Sequence, residues 1–537
     1  MTPEKTLLRA RLGTTYALAA VVLAFTCSVH AVTYTWDATT GTAGAQDGGG
    51  AWNAANWWTG SADEVWPGSG YNADIGAGNG TAGTITLSAE QTVGVLTLKA
   101  AGSGNYTLSG SILNVATLAA NASATINSQL KSTTSIVANS GATLSLGGGS
   151  AALSGCIFGG LGAVEFTGGN YTLNSNSQIN TATVSLSNNT KINYNATLNI
   201  AQGTTTSLTI DNASMVTAGT GRIAIGRGTN ANGTATLTSG TMNSGDTSNV
   251  GIAIAYGNNS KGTFNMQGGT VNTTILSINY GSTGTGTISI SGGVVTTGTI
   301  NFGAGTGGSG VLKMTGGSLY VGAGGIIKST ANTASITASG GTIGATESWS
   351  SSMDMLLDTL NGNIQFKAAN AGNSARDINL SGALSGDGGL TKTGLGKLTL
   401  TGANSYAGGT VVTAGELTAS DLGTGDVSVE GASILTLTSN TALDSAADMF
   451  LSLGAKVNLD FDGVLNIGRL SYDDHFLNIG SYTINDLNSL LGTSVFSGNA
   501  DAALYISVPE PRTEALFATA TTLLLLASHW RRRGQQA

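Results

Sequence analysis

Short runs of alternating apolar and polar residues follow one another along most of the chain, and between Gly262 and Leu319 they recur at a fixed interval. Gly262-Thr263-Phe264-Asn265-Met266-Gln267-Gly268-Gly269 returns as Gly286-Thr287-Ile288-Ser289-Ile290-Ser291-Gly292-Gly293, and again as Gly310-Val311-Leu312-Lys313-Met314-Thr315-Gly316-Gly317. The interval is 24 residues both times. Alternation puts Phe264/Met266, Ile288/Ile290 and Leu312/Met314 on one face, the period of a half-buried strand. A Gly-Gly pair after such a run predicts a corner, because glycine takes positive φ without a Cβ clash. Second short runs, Leu276-Ser277-Ile278-Asn279-Tyr280 and Thr299-Ile300-Asn301-Phe302, fall between corners. Each unit reads strand, corner, strand, corner.

A fixed period of this size without a helical stretch is the signature of a solenoid whose coils bury one face on the next. The pattern predicts an all-β parallel β-helix. A propeller is excluded, since a blade needs about 40 to 50 residues and four strands. An earlier copy, Gly233-Thr234-Ala235-Thr236-Leu237, is displaced by a five-residue insertion before Gly262. From Thr84 onward similar runs recur with looser spacing, and residues 345 to 380 read as one irregular coil. The β-helix is expected over residues 77–450, with its clearest repeats at 221–320.

Composition narrows the class. The 537 residues include 81 Gly and only 9% charged residues, so the chain is neither a charged disordered polymer nor a collagen with glycine at every third position. Only Cys27 and Cys156 occur, and Cys27 falls in a segment expected to be removed, so stacking rather than a disulfide has to stabilise the mature chain. Residues 32–511 hold 14 basic and 27 acidic residues, a formal net charge of −13. That sign excludes a nucleic-acid partner, which needs a basic stripe.

Residues 1–31 read as a secretory signal: Lys5, Arg9 and Arg11 precede an apolar core from Tyr16 to Phe25, and Val29-His30-Ala31 offers a cleavage site after Ala31. Residues 32–76 carry five of the seven tryptophans, Trp36, Trp52, Trp57, Trp58 and Trp66. Two readings compete here. A cap plugging the first coil is favoured, because the terminal coil of a solenoid otherwise exposes a bare core and an unpaired edge. The alternative is a carbohydrate-binding surface on which Trp52, Trp57 and Trp58 stand exposed in a row for stacking on glycans.

Trp36-Asp37, Trp52-Asn53-Ala54-Ala55-Asn56-Trp57 and Asn72-Ala73-Asp74-Ile75 together resemble the opening of secreted bacterial proteins with autotransporter-associated β-strand repeats. The stretch from Leu384-Ser385-Gly386-Asp387-Gly388-Gly389-Leu390-Thr391-Lys392 through Leu398-Thr399-Leu400-Thr401-Gly402-Ala403-Asn404-Ser405-Tyr406 to Glu416-Leu417 closely resembles that repeat itself, over residues 384–417. The likeness implies a right-handed β-helix coil. The block at 221–320 resembles the short repeat shared by passengers of type V secretion and sorting-signal proteins. Residues 451–507 are expected to close the far end with a few strands. No translocator barrel is expected after them, since a membrane barrel needs many segments of about ten alternating residues.

At the C-terminus, Val508-Pro509-Glu510-Pro511 precedes an apolar run from Ala515 to Trp530 and then Arg531-Arg532-Arg533. Residues 508–537 resemble the PEP-CTERM sorting signal of Gram-negative bacteria. The resemblance implies an exosortase-type processing enzyme as partner, transient insertion of the apolar run in the inner membrane, and delivery to the cell surface or extracellular matrix.

The strongest enzymatic alternative is a polysaccharide lyase or glycoside hydrolase. Glycosidases need two carboxylates about 5 to 9.5 Å apart. The hundred residues from Gly221 to Tyr320 hold one acid, Asp246, against Arg222, Arg227, Lys261 and Lys313, and cannot supply the pair. Asp460/Asp462 and Asp473-Asp474-His475 are the concentrated candidates, and the latter reads more simply as a turn. No catalytic residues, metal ligands or cofactor are therefore assigned. The sequence predicts an exported, non-enzymatic structural or adhesin-like β-helix, with extracellular polysaccharide or other surface proteins as partners.

Overall fold

The computed structural model describes residues 31–507 apart from 218–220, 247–249, 282, 304–306 and 329–331. The expected signal peptide and the sorting-signal residues Val508, Pro509, Glu510, Pro511, Arg531, Arg532 and Arg533 lie outside the described residues. Ala31, at their edge, is half-buried.

The chain winds into a parallel β-helix with three ladders of strands. One is a 15-stranded parallel sheet running from Gly50–Ala51 to Leu384–Ser385. The other two pass through strands such as Gly240–Ser244 and Ile252–Ile254. They fuse in Thr270–Ile278, Val294–Phe302 and Ser318–Lys328, each of which turns from one face onto the next without leaving the ladder.

The register of the first sheet matches the 24-residue pattern. Gly262, Gly286 and Gly310 pair in succession, as do Phe264, Ile288 and Leu312, and Met266, Ile290 and Met314. The apolar members are buried, so identical positions stack into continuous interior columns. Gly233 pairs with Gly262, 29 residues on. The five extra residues sit between Ser244 and Ile252, because Ser244 still pairs 29 residues ahead with Thr273 whereas Ile252 pairs only 24 ahead with Leu276. The insertion buries Asp246, whose carboxylate meets Arg222 at 3.4 Å and accepts the Gly251 N–H at 3.2 Å. The one acid of the repeat block thus serves the interior.

The paired glycines divide their labour. A Cβ on Gly292 would sit 2.2 Å from the Gln267 carbonyl oxygen of the preceding coil, so the first member supplies clearance. The second, Gly293, supplies the bend with φ 74°. Residues 345–380, expected as one irregular coil of the β-helix, contribute ladder strands at Trp349–Ser351, Met355–Leu357 and Ile364–Lys367.

Beyond Ser385 the first sheet ends and two ladders continue, through Lys397–Leu400, Glu416–Ala419, Ile434–Leu437 and Lys456–Leu459 on one face and Leu390–Thr393 to Leu470–Tyr472 on the other. The far end holds a three-stranded sheet, Gly463–Ile467, Ala502–Ile506 and Gly480–Thr483, and a helix, Ile484–Leu491. That helix was not expected from the sequence. Among the described residues no helix is long and apolar enough to cross a membrane.

Candidate functional site

Three places were singled out by sequence or emerge from geometry: the tryptophan-rich end, the coil at residues 384–417, and the C-terminal closure.

At the N-terminal end, Thr33–Trp36 pairs with Trp57–Trp58 on one side and Asn72–Ile75 on the other, which brings the three separated motifs together. Trp36, Trp52 and Trp57 are fully buried. Trp57 lies 4.6 Å from Trp52, 4.7 Å from Trp66 and 5.3 Å from Trp36 between ring centroids, in tilted or edge-on contacts. The indole N–H of Trp57 donates to the Trp52 carbonyl at 2.8 Å. The exposed row of Trp52, Trp57 and Trp58 that the carbohydrate-binding alternative required is therefore absent: two of the three rings are buried, as the favoured cap requires, and only Trp58 is half-buried. Large aromatic area gains more from covering the open core than from standing in water.

Two carboxylates brace this end. Asp47 accepts the N–H groups of Ala77, Asn79, Gly80 and Gly102 at 2.7 to 3.1 Å and the Tyr106 hydroxyl at 2.8 Å. Burial pushes its carboxyl upward, but these donors outweigh burial and hold it at about 2. Asp37 accepts from Thr39 and Gln46, and burial followed by its contact with Asp63 raises it above the ordinary range.

In the coil at 384–417, the features that made the stretch recognisable are structural. Lys392 is fully buried, and its ammonium donates to the carbonyls of Thr393, Gly394 and Ala414 at 3.1, 2.8 and 2.8 Å, using all three protons to hold one corner against the next coil. Burial brings it down to about 8, with Asp377 and Glu416 pulling the other way. Asn404 bridges three successive coils where the first ladder has ended, accepting from the Leu384 N–H at 2.9 Å and donating to the Asp421 carbonyl at 2.7 Å. Tyr406 is buried with its hydroxyl 2.6 Å from that of Thr410.

At the C-terminal end, Asp473 and Asp474 have φ of 50° and 62° and connect Leu470–Tyr472 to His475–Phe476 as a two-residue hairpin turn. His475 Nδ1 lies 2.7 Å from the Asp473 carbonyl oxygen. Asp460 and Asp462 are exposed, and Asp462 accepts from the Asn499 side chain. Among the described residues no three His, Cys, Asp or Glu side chains gather as a metal site. The hairpin, residues 477 and 478, and the helix instead border an open pocket of about 470 Å³, which Tyr472, Asp473, His475, Phe476, Asn478 and Tyr482 help to line. Sequence reasoning did not find this pocket, because its walls come from a hairpin and a helix that meet only in the fold.

The fold and the lysine-clamped coil define the class to which the chain compares. Residues 390–419 match the Passenger-associated-transport-repeat family. The chain thus carries an autotransporter-associated repeat within a parallel β-helix. It is also similar to the Adhesin BmaC autotransporter of Brucella suis biovar 1 (strain 1330), with 35% identity over 196 residues, covering 35% of this chain and 5% of that protein. The chain accordingly spans a small fraction of the length of the curated relative it matches. No solved structure matches the chain.

Proposed function

We propose that the chain is an exported, adhesin-like surface protein whose β-helix acts as a structural rod and not as an enzyme. The observation that carries this reading is the 390–419 coil, matched to passenger-associated transport repeats and seated as one turn of a continuous stack. Its hallmark side chains, Lys392, Asn404 and Tyr406, all point into packing and leave the outer surface largely to threonine and serine, such as Thr391, Thr399, Thr401 and Ser405. Such a surface suits many weak, repeated contacts, where avidity replaces a single strong site.

In this reading residues 1–31 direct export with cleavage after Ala31, and residues 508–537 form the sorting signal. An exosortase-type enzyme would act near Val508-Pro509-Glu510-Pro511, with Arg531, Arg532 and Arg533 behind a transiently membrane-inserted run. Partners are extracellular polysaccharide or other surface proteins.

The test is to express the full chain in a Gram-negative host carrying an exosortase. Intact cells are probed with antibody, and the mature C-terminus is read by mass spectrometry. Surface exposure with attachment to polysaccharide-coated supports is expected, with loss of residues 512–537. Shortening of the polysaccharide by the purified chain would overturn the non-enzymatic reading, and an intact Ala537 on surface protein would overturn the sorting reading.

A further inference from the structure

We propose that the C-terminal pocket binds a neutral pyranose unit of a glycan; this rests on reading the chain as an adhesin-like surface protein and assigns that reading a site. Pyranoses present an apolar C–H face and a rim of hydroxyls, so their pockets combine aromatic surface with planar polar groups that accept and donate side by side. The lining combines both: Tyr472, Phe476 and Tyr482 supply rings, Asp473, His475 and Asn478 supply carboxylate, imidazole and amide, and three leucines complete the apolar wall. Its volume, about 470 Å³, falls within the range of small-ligand pockets, about 300 to 1,000 Å³.

The rings are preorganised. Phe476 keeps 55% of its surface exposed, yet it is fixed edge-on to Phe450 at 6.4 Å and beneath the Arg469 guanidinium at 5.4 Å. Arg469 is itself held by Asp448, its Nε donating at 2.9 Å. Tyr482 donates from its hydroxyl to the Asn478 carbonyl at 2.9 Å, tying the strand to the segment that forms the opposite wall. An exposed phenylalanine braced on two sides costs little conformational entropy when a ligand covers it.

Charge selects among sugars. Asp473 and the adjacent Asp474 face solvent at the turn, and the Arg469 guanidinium beside Phe476 is already paired with Asp448, so a uronic acid would meet repulsion whereas a neutral hexose or N-acetylhexosamine would not. An acyl chain would be met by the leucines but would also cover the Asp473 carboxylate and the Asn478 amide, which sugar hydroxyls can pair and a hydrocarbon cannot.

The experiment is calorimetric titration of the full chain with cellotriose, chitotriose and trigalacturonate. Saturable binding of a neutral trisaccharide is expected, weakened at least tenfold by Phe476→Ala. Asp473→Asn is expected to weaken it as well without disturbing the turn, since asparagine also tolerates positive φ. Absence of binding by both neutral trisaccharides, preference for trigalacturonate, or binding indifferent to both substitutions in variants with unchanged circular dichroism would each overturn the proposal. The same variants separate it from the broader reading: if Phe476→Ala cells still attach to polysaccharide-coated supports, the pocket fails and the adhesin-like rod stands, whereas a chain never exposed on the cell surface removes the broader reading whatever the titrations give.

Discussion

The two ends of this β-helix solve the same problem with different materials. Each must cover an open core and a row of unpaired strand edges. The N-terminal end does so with bulk: Trp36, Trp52 and Trp57 are driven inward and braced by Asp47, and the finished surface exposes little aromatic area. The C-terminal end uses added secondary structure, a hairpin, a small sheet and a helix, and leaves Phe476 and Leu490 more than half exposed around a pocket. A plug of large side chains uses up its own recognition surface, whereas a roof of short elements leaves gaps that a ligand can fill.

The contrast predicts unequal responses to substitution. Trp57→Ala should destabilise the N-terminal end by about 3 to 5 kcal/mol, the range for emptying a buried aromatic site. Hydrogen exchange should show lost protection over residues 33–98 with the C-terminal sheet unaffected; equal loss at both ends would break the comparison. Asp47→Asn should cost about 1.5 to 3 kcal/mol or more, because the charge is lost and the amide NH2 that replaces one oxygen cannot accept from the donors facing it. The pH dependence follows the same group. Its folded value, about 2, lies below the ordinary 3.8, so its stabilisation is fully present above pH 3.8 and is lost as pH falls through about 2. Limited proteolysis between pH 4 and pH 2 should therefore open the wild-type N-terminal end progressively, and the Asp47→Asn variant should show no such step.

Effects at the C-terminal end should be smaller. Thr483 caps the helix, its Oγ1 accepting from the Asp486 N–H while the Asp486 carboxylate accepts the Thr483 N–H. Thr483→Ala should cost about 1 kcal/mol and fray Ile484–Leu491, visible as faster amide exchange confined to that helix. Phe476→Ala should change thermal stability by no more than about 0.5 kcal/mol, as expected for an exposed side chain. A larger loss would mean that Phe476 serves the fold and not a ligand.

Legibility followed how openly each coil spells its corners. The 24-residue block could be read because Gly268-Gly269, Gly292-Gly293 and Gly316-Gly317 mark the same bend in the same letters. Earlier coils are as regular in space: Ala124, Leu144, Val164 and Val184 pair in succession, each 20 residues after the last. Their bends are made by different residues, including Ser175, Asn188 and Asn189 at positive φ, so no repeated word announces them. The terminal helix had a readable start in Thr483-x-x-Asp486 and a readable stop in Gly492, but its two turns are shorter than a convincing amphipathic period. Asp473-Asp474 was legible as a turn, whereas the pocket beneath it was not, because Tyr472 and Tyr482 meet only through tertiary packing. Lys392 shows the opposite limit. Alternation places it on the buried face, yet only the fold reveals three carbonyls waiting for its ammonium.

The in-register columns of the repeat block make the molecule's reach a matter of copy number. Because Gly262, Gly286 and Gly310 occupy one register position in successive coils, removing or duplicating one 24-residue unit would bring together coils whose glycines and apolar positions still align. Each such event would move the two ends by about 4.8 Å, one strand spacing, without redesigning either of them. Gain or loss of a unit would in this way change how far the tryptophan plug stands from the C-terminal pocket, while both stay as they are.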